Sequence, residues 1–280
     1  MIDAIANTIN AAKTAAAENR NKDDYEHDGI WYCGKCGTPK EIKIMLMGQE
    51  RLMPCDCDCM ANEYADNQIK LKKAQREQSI SRNKSVGIKN KELYSWTFEN
   101  GEETQAIATA RKYVTKWAQM YQDNIGLMFY GNPGTGKTYA AMCIANALLD
   151  MGVSVMVTNF SHIIATLSDY KVNNNEYIDD LNNYSLLIID DIGSERNTET
   201  ATQYVTDVID ARVRANKPLI VTTNLTVEEM KQAQDISKQR IYSRILGVTL
   251  PVKAVGEDIR LKKQKNKLRA AQAMFEQVAE

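Results

Sequence analysis

The sequence lacks the features that would indicate a membrane or exported protein. It has no run of eighteen apolar residues, so we expect no membrane span. The first ten residues have neither a basic segment nor an apolar stretch, so they do not read as a secretory signal. The net charge is only −1, so the overall charge predicts no polyanionic partner and leaves that role to local patches. We therefore expect a cytoplasmic protein with no membrane partner.

Cysteine is scarce and unevenly distributed. Of the six cysteines, five lie between Cys33 and Cys59, and only Cys143 lies elsewhere. Clustered cysteines in a reducing compartment favour a metal site over disulfides. The 280 residues, 44% of them apolar, provide enough material for one large or two moderate domains.

The cysteine cluster, at about residues 31–60, has the spacing of a zinc site with four cysteine ligands. A C-x-x-C-G turn at residues 33–37 comes first, and a hairpin predicted over residues 41–53 separates it from three further cysteines. Two cysteines from each side would enclose one structural ion, on which so small a module would depend to fold. A redox C-x-x-C is disfavoured, because no βαβ pattern surrounds it. The preferred ligands are Cys33, Cys36, Cys55 and Cys57, and Cys59 is the alternative to Cys55.

Two segments are locally basic. Residues 63–91, most of them in a polar helix predicted over 60–84, carry eight basic and three acidic side chains, a local net of +5. Residues 253–269 carry seven basic and two acidic side chains, again a net of +5. Each segment is either a solvated helix or a contact for nucleic-acid phosphates. For the second segment, residues 253–269, the nucleic acid expected in such a contact is single-stranded DNA.

The predicted domain boundary lies in residues 79–91, which lack apolar periodicity. It divides the chain into residues 1–90 and residues 91–280. Residues 1–24 are predicted to form a solvated helix that is either a loosely docked terminus or a partner-binding element.

The second domain alternates strands with helices, which predicts a parallel α/β sheet with crossover helices. A helix predicted over residues 104–122 leads into the first strand. The predicted strands are Gly126–Tyr130, Val153–Thr158, Ser185–Asp190, Pro218–Thr223 and Val248–Val252.

A phosphate-binding loop, G-x-x-x-x-G-K-[ST], lies between the first strand and a helix predicted over residues 139–149. Its glycines let successive N–H groups face a polyphosphate, which the helix N-terminus also attracts. Its lysine reaches the β- and γ-phosphates of ATP or GTP, and its last hydroxyl ligates Mg²⁺. The loop residues are Gly131, Asn132, Pro133, Gly134, Thr135, Gly136, Lys137 and Thr138.

Two later strands end in polar side chains that are expected at the same edge of the sheet. The strand that ends at Asp190 is followed by Asp191. The first carboxylate is placed to hold Mg²⁺, directly or through water, and the second to orient or deprotonate the attacking water. Asn224 follows the next strand and is placed to bond that water or the γ-phosphate.

These motifs, in this order and spacing, resemble the AAA+ ATPases, with Asn224 as sensor 1. Residues 93–280 resemble, more narrowly, the DnaC/DnaI type of replicative helicase loader, whose relatives include the IstB-type transposition helper ATPases. In that family the segment 239–245 carries the arginine finger, which matches Arg244, while Arg240 lies one turn earlier. Arg260 matches the sensor 2 arginine. The resemblance rests on residues 131–138, 187–191, 221–224 and 239–245.

The resemblance implies an α/β fold with a five-stranded parallel P-loop (AAA+/ASCE) sheet and flanking helices, preceded by a zinc-binding domain and a linker helix. It implies ATP and Mg²⁺ as cofactors and zinc as a structural ion. Because Asp191 stands where most AAA+ enzymes have Glu, we expect slow turnover of ATP. We also expect DNA to stimulate this ATPase. Since 28 residues follow Val252, we expect a truncated lid.

The function that the resemblance implies is ATP-dependent loading of a hexameric replicative helicase onto single-stranded DNA. Residues 1–90 would bind the helicase, and subunits would associate through Arg244. A transposition helper acting on duplex DNA is the alternative of the same fold. A non-catalytic adaptor is the alternative of another class.

Overall fold

The structure, a computed structural model, describes residues 20–46, 48–193, 198–256, 258–261, 264–265, 268–269 and 272. Its contacts divide the chain into two compact units, Met1–Glu77 and Gln78–Glu280. The helix predicted over residues 1–24 lies outside the described residues as far as residue 19. Residues 20–24 are not helical, because Asp24 closes a turn by donating its N–H to Asn21 O at 3.1 Å.

The first unit contains two antiparallel strand pairs and the start of a long helix. Strands β1 (Tyr25–His27) and β2 (Ile30–Tyr32) form one pair. Strands β3 (Glu41–Leu46) and β4 (Gln49–Pro54) form the second pair, at the position of the predicted hairpin. Helix α1 (Asp58–Gly87) follows.

Very little of the described part of the first unit is buried. Among its described residues, only Cys33, Lys40 and Cys57 are fully buried. An apolar core of ordinary size is therefore missing from this part of the unit, and the sulfur atoms lie where such a core would be.

The second unit is a three-layer α/β structure. It begins with the end of α1 and a 3₁₀ helix at Lys91–Ser95. Its strands are β5 (Gly126–Tyr130), β6 (Val155–Asn159), β7 (Leu186–Ile192), β8 (Leu219–Thr223) and β9 (Thr249–Lys253). Its helices are α2 (Gln105–Thr115), α3 (Trp117–Gln122), α4 (Lys137–Asp150), α5 (Phe160–Leu167), α6 (Asn174–Asn183), α7 (Glu199–Arg214), α8 (Val227–Lys231) and α9 (Ile236–Val248).

The five strands form one parallel sheet in the order β6-β7-β8-β5-β9. All five predicted strands are confirmed to within two residues. The sheet order places β8 between β7 and β5, so the carboxyl ends of these three strands meet at one edge. The predicted truncated lid falls on residues after 252, which are only partly described.

Helices cover both faces of the sheet, and alternate residues of β7 show this. Leu186 and Ile188 pack in a cluster with α2 and α4, whereas Leu187 and Ile189 pack in a cluster with α5, α7 and α9. Burial on both faces explains why these strands are continuous apolar runs. In the described part of the chain, no helix has both the length and the apolar character that crossing a membrane requires.

The helix predicted over residues 104–122 is instead two helices, α2 and α3. They meet at Lys116, whose backbone leaves the helical region with φ −100° and ψ 17°. Just before this break, the Thr115 hydroxyl donates to Arg111 O at 3.0 Å. Such bonds from a side chain to the previous turn favour bending of a helix.

A buried arginine joins the beginnings of β7 and β8. The Arg212 side chain lies on α7 and is 1% exposed. It donates to Tyr184 O at 2.9 Å, Ser185 O at 3.0 Å and Pro218 O at 2.7 Å. Burial lowers the pKa of this guanidinium to about 10. Arg212 therefore links the residues that precede β7 and β8, at the sheet edge opposite the predicted site.

Candidate functional site

The phosphate-binding loop connects β5 to α4 and closely approaches the segment after β9. Gly134 and Gly136 have φ of 79° and 88°, in the left-handed region that glycine adopts without strain. A Cβ at Gly134 would lie 2.1 Å from the Asp258 carboxylate, so a larger residue there would have to displace that side chain. The Ile259 N–H donates to Gly134 O at 3.0 Å, which holds this segment beside the loop.

The lysine of the loop contacts the loop itself and the end of β8. Lys137 is 8% exposed, and its Nζ donates to Gly131 O at 2.8 Å, Asn132 O at 2.7 Å and Asn224 Oδ1 at 2.8 Å. Burial lowers the pKa of this ammonium, and the Arg260 charge lowers it further. The structure thus brings together the predicted phosphate-binding lysine and the predicted sensor asparagine.

The two predicted Mg²⁺ ligands are also in contact. The Thr138 hydroxyl donates to Asp190 Oδ1 at 2.9 Å, across the gap between the start of α4 and the end of β7. A hydroxyl and a carboxylate in contact are hard oxygen ligands of the kind that Mg²⁺ prefers. The residues present therefore fit this ion.

A threonine that the sequence analysis missed contacts the carboxylate of one aspartate and the backbone of the other. Thr222 is 1% exposed, donates to Asp190 Oδ1 at 2.5 Å and accepts the Asp191 N–H at 2.8 Å. Its partners lie at an irregularity in the pairing of β7 with β8, where Asp191 has φ 57°. Asp tolerates this left-handed conformation better than most residues. The signal that could have identified Thr222 from the sequence was a polar residue near the end of an apolar strand.

The second carboxylate also contacts the end of β8, since Asn224 Nδ2 donates to Asp191 Oδ1 at 3.4 Å. Asn224 therefore connects Lys137 with Asp191. The loop, β7 and β8 contribute to one connected polar cluster at the edge of the sheet.

A cavity of about 280 Å³ adjoins the phosphate-binding loop. Its walls include Trp96, Tyr139, Ile259 and Arg260, and the rings of the two aromatic residues stack with centroids 5.3 Å apart. Arg260, which the resemblance matched to the sensor 2 arginine, therefore lies beside the loop. The sequence analysis assigned no role to the three apolar residues.

The structure does not bring Arg240 and Arg244 to the phosphate-binding loop of the same chain. They line a separate cavity of about 690 Å³ between α8 and α9, together with Lys231. Arg244 forms an ion pair with Asp210 of α7. Its predicted role as an arginine finger therefore requires a second copy of the chain.

The cysteine cluster that forms in the first unit differs from the preferred set. The Sγ atoms of Cys33, Cys36, Cys57 and Cys59 all lie within 4.8 Å of one another. A tetrahedral zinc ion with bonds of about 2.3 Å spaces its sulfurs about 3.8 Å apart, which this cluster matches. The preference for Cys55 was wrong, and the Cys57/Cys59 alternative is the pair that the structure assembles.

The start of α1 explains this choice. The Cys55 N–H donates to Lys40 O at 2.8 Å, so this residue continues the strand, and its thiol lies 3.4 Å from Pro39 O. Helix α1 begins at Asp58, and its first turn brings the Cys59 Sγ to 3.3 Å from that of Cys57.

Local contacts favour the thiolate form at two of the four cysteines and disfavour it at a third. Backbone N–H groups of the C-x-x-C turn lower the pKa of Cys33, and contacts with Thr38 lower that of Cys36 to about 6. Hydrogen bonds with Cys57 and Cys33 raise the pKa of Cys59 to about 12. A bound divalent cation overcomes such resistance to deprotonation, because it stabilises every thiolate at once. Four sulfur donors fit zinc.

A buried ion pair supports the same turn. Lys40 Nζ lies 2.6 Å from Asp24 Oδ2, and Asp24 Oδ1 accepts the Gly34 N–H at 3.1 Å. The ammonium lowers the pKa of this carboxyl to about 2. Asp24 thereby holds the first half of the cysteine cluster to its neighbouring strand.

Comparison with known proteins agrees with the α/β fold and the phosphate-binding loop described above. The family described as IstB-like ATP binding protein matches residues 63–267. The chain belongs to this family. Its α/β fold with a five-stranded parallel sheet is confirmed, as is the resemblance to the DnaC and DnaI loaders.

Among curated relatives of this family member, the replicative helicase loader DnaC of Escherichia coli strain K12 is 32% identical over 133 residues, 46% of this chain and 53% of the relative. The replicative helicase loader DnaI of Bacillus subtilis strain 168 is 23% identical over 244 residues, 81% of this chain and 78% of the relative. The chain spans about half the length of the first of these relatives.

Two crystal structures share the fold. That of DnaI has a TM-score of 0.52 at 22% identity and covers 63% of this chain and 98% of its own. That of the DnaC helicase loader has a TM-score of 0.52 at 20% identity and covers 59% of this chain and 100% of its own. These likenesses show that residues of this chain share the fold of both structures.

Proposed function

We propose that this member of the IstB-like family is an ATP-dependent loader that deposits a hexameric replicative helicase on single-stranded DNA. The observation that carries the proposal is the connected polar cluster of Lys137, Asn224, Asp191, Asp190 and Thr138. In this cluster, hydrogen bonds join the side chains that we propose contact the phosphates, Mg²⁺ and the attacking water. The curated relatives are named replicative helicase loaders, and this supports helicase loading as the use of the ATP chemistry.

ATP occupies the loop and the adjoining cavity. The N–H groups of the loop and the Lys137 ammonium bind the phosphates, while the apolar cavity beside Trp96 and Tyr139 takes the base. Thr138 and Asp190 hold Mg²⁺, which neutralises charge on the phosphates when bound. Asn224 orients the attacking water, and Asp191 accepts its proton.

The same contacts make the site responsive to the nucleotide. Lys137 donates to two loop carbonyls and to Asn224, and phosphate oxygens would compete for these three bonds. ATP binding therefore changes the environment of Asn224 and, through it, of Asp191. The short Asp191 side chain keeps turnover slow, and DNA accelerates it, so hydrolysis times release of the helicase.

A neighbouring copy completes the site. Arg244 approaches the γ-phosphate held by another subunit and stabilises charge that develops during transfer. The cavity around Arg244 includes three cationic residues and no carboxylate among its described walls, which suits an anionic ligand. Subunits therefore associate through this face of α9.

The N-terminal unit carries the partner specificity. Cys33, Cys36, Cys57 and Cys59 hold a structural zinc ion, and residues 1–90 bind the helicase. The basic segments at 63–91 and 253–269 contact single-stranded DNA in a salt-sensitive, sequence-independent way.

A helicase pulldown with and without ATP tests the proposal. The wild-type protein should bind the replicative helicase with ATP and release it as ATP is hydrolysed. The Asp191→Asn variant should still bind ATP, should hydrolyse it at least about 100-fold more slowly, and should stay bound to the helicase. Asp207→Asn, at a partly exposed position of α7, serves as the matched control and should behave like the wild type.

Two outcomes would contradict the proposal. Absence of binding in both nucleotide states would favour a transposition helper, which ATP-dependent assembly on duplex DNA would then support. Helicase binding and release by Asp191→Asn at the wild-type rate would favour a non-catalytic adaptor.

A further inference from the structure

We propose that Asp210 is a positioning residue that orients the Arg244 guanidinium toward the nucleotide bound by a neighbouring subunit. The inference rests on the proposed function, because it assumes that Arg244 acts across an interface. It adds a residue to which no motif of the sequence points.

The ion pair joins two helices whose backbones are fixed by the core. Asp210 lies on α7, next to the buried Ile209, and Arg244 lies on α9, next to the buried Ile245. The side chain of Asp210 is 19% exposed and that of Arg244 is 40% exposed. The carboxylate is thus largely shielded from solvent, while the guanidinium remains accessible from outside the chain.

An anchor matters because a long arginine side chain has many rotamers when it is unrestrained. The pair involves Arg244 Nη1, and a guanidinium has further N–H donors in a fixed planar fork. Contact with Asp210 therefore restricts the direction of the group and leaves donors for a phosphate. Prepositioned donors avoid reorganisation at the moment of phosphoryl transfer.

The charges around the pair favour an anionic ligand. The cavity of about 690 Å³ beside Arg244 is also lined by Lys231 and Arg240. Asp210 balances one of these three positive charges, so the described walls keep a positive excess. The γ-phosphate of a nucleotide in a second copy of the chain has the chemistry that this excess attracts.

Steady-state ATPase kinetics with single-stranded DNA are the first test. Asp210→Ala should lower kcat about tenfold, because a misdirected donor stabilises the transition state poorly. The KM for ATP should stay within about twofold, since Asp210 does not touch the loop that binds ATP. Asp210→Glu keeps the charge and should restore part of the loss. Asp207→Ala, one turn away on α7, is the matched control.

Mixed subunits provide the decisive readout. A Lys137→Ala subunit supplies Arg244 but has a disabled loop, and an Arg244→Ala subunit has the reverse defect. Mixing them should restore turnover. Adding Asp210→Ala to the Lys137→Ala subunit should lower the restored turnover about tenfold, whereas adding it to the Arg244→Ala subunit should change nothing further.

The outcomes separate this inference from the proposed function. If Arg244→Ala lowers turnover but Asp210→Ala does not, or raises it, the positioning role is wrong and the shared site stands. An equal effect of Asp210→Ala in both mixed subunits indicates a structural defect and also overturns the role. If Arg244→Ala has no effect, the shared site itself is wrong and the inference fails with it.

Discussion

The two units of this chain differ in the groups that they bury, and so in what can stabilise their folds. In the described part of the first unit, the buried residues are two cysteines and one lysine, whereas the second unit encloses a five-stranded sheet between apolar layers. A small module without an apolar core needs another source of stability, and a bound metal ion is one such source. The second unit has ample apolar burial and uses its polar groups for a site instead.

The two units also differ in the groups that pair with a buried positive charge. In the first unit, Lys40 and Asp24 pair beside the cysteine cluster. In the second unit, the Arg212 guanidinium is satisfied by backbone carbonyls. A buried cation stabilises structure in both cases, but only when its donors find acceptors.

Loss of the metal should have the largest effect and should affect only the first unit. We expect Cys59→Ser to lose bound zinc and the β3-β4 hairpin, because structural zinc supplies about 10 kcal/mol or more of apparent folding free energy. Cys55→Ser is the matched control and should keep about one zinc ion per chain. Metal analysis and amide exchange measure both. Retention of zinc by Cys59→Ser together with its loss from Cys55→Ser would restore the first-preferred ligand set.

Removal of the buried guanidinium should affect only the second unit. Arg212→Met removes the guanidinium donors from the carbonyls of Tyr184, Ser185 and Pro218, so we expect a loss of about 3 kcal/mol in the free energy of unfolding. Arg214→Met, on an exposed position of the same helix, should cost less than about 0.5 kcal/mol. Denaturant unfolding measures both, and zinc content should not change. Equal stability of the two variants would contradict the role of Arg212.

The smallest expected effect concerns the site rather than stability. Thr222→Val removes the hydroxyl that bonds both Asp190 and the Asp191 backbone, so binding of MgATP should weaken about tenfold. Binding of ATP without Mg²⁺ should change much less. Thr249→Val, which removes another buried hydroxyl of the sheet, is the control. A similar loss in both variants would show a general packing defect and not support of the ion site.

Much of the second unit could be predicted because its signals are local. The strands are continuous apolar runs, and the loop from Gly131 to Thr138 carries its conformation in its own glycines. The break at Lys116 was missed, since the apolar pattern of residues 104–122 continues through it. Thr222 was missed because one threonine in an apolar strand carries no motif.

In the first unit, the sequence indicated a metal cluster but led to the wrong pair of cysteines. Cys55, Cys57 and Cys59 have equivalent spacing along the chain, so spacing does not distinguish them. The difference arises where the hairpin ends and α1 begins, since that transition turns Cys55 toward Pro39 and Cys59 toward Cys57.

The sequence by itself determined the P-loop α/β class, the strand succession and the presence of a cysteine cluster, because each follows from residues close together in the chain. Only the tertiary structure decided that Thr222 supports the carboxylates, that Cys59 replaces Cys55, and that Asp210 holds Arg244. The physical reason is the same in each case. Side chains from distant segments meet only after the sheet order and the helix starts are set, and their contacts then depend on angstrom-scale placement that no local pattern records.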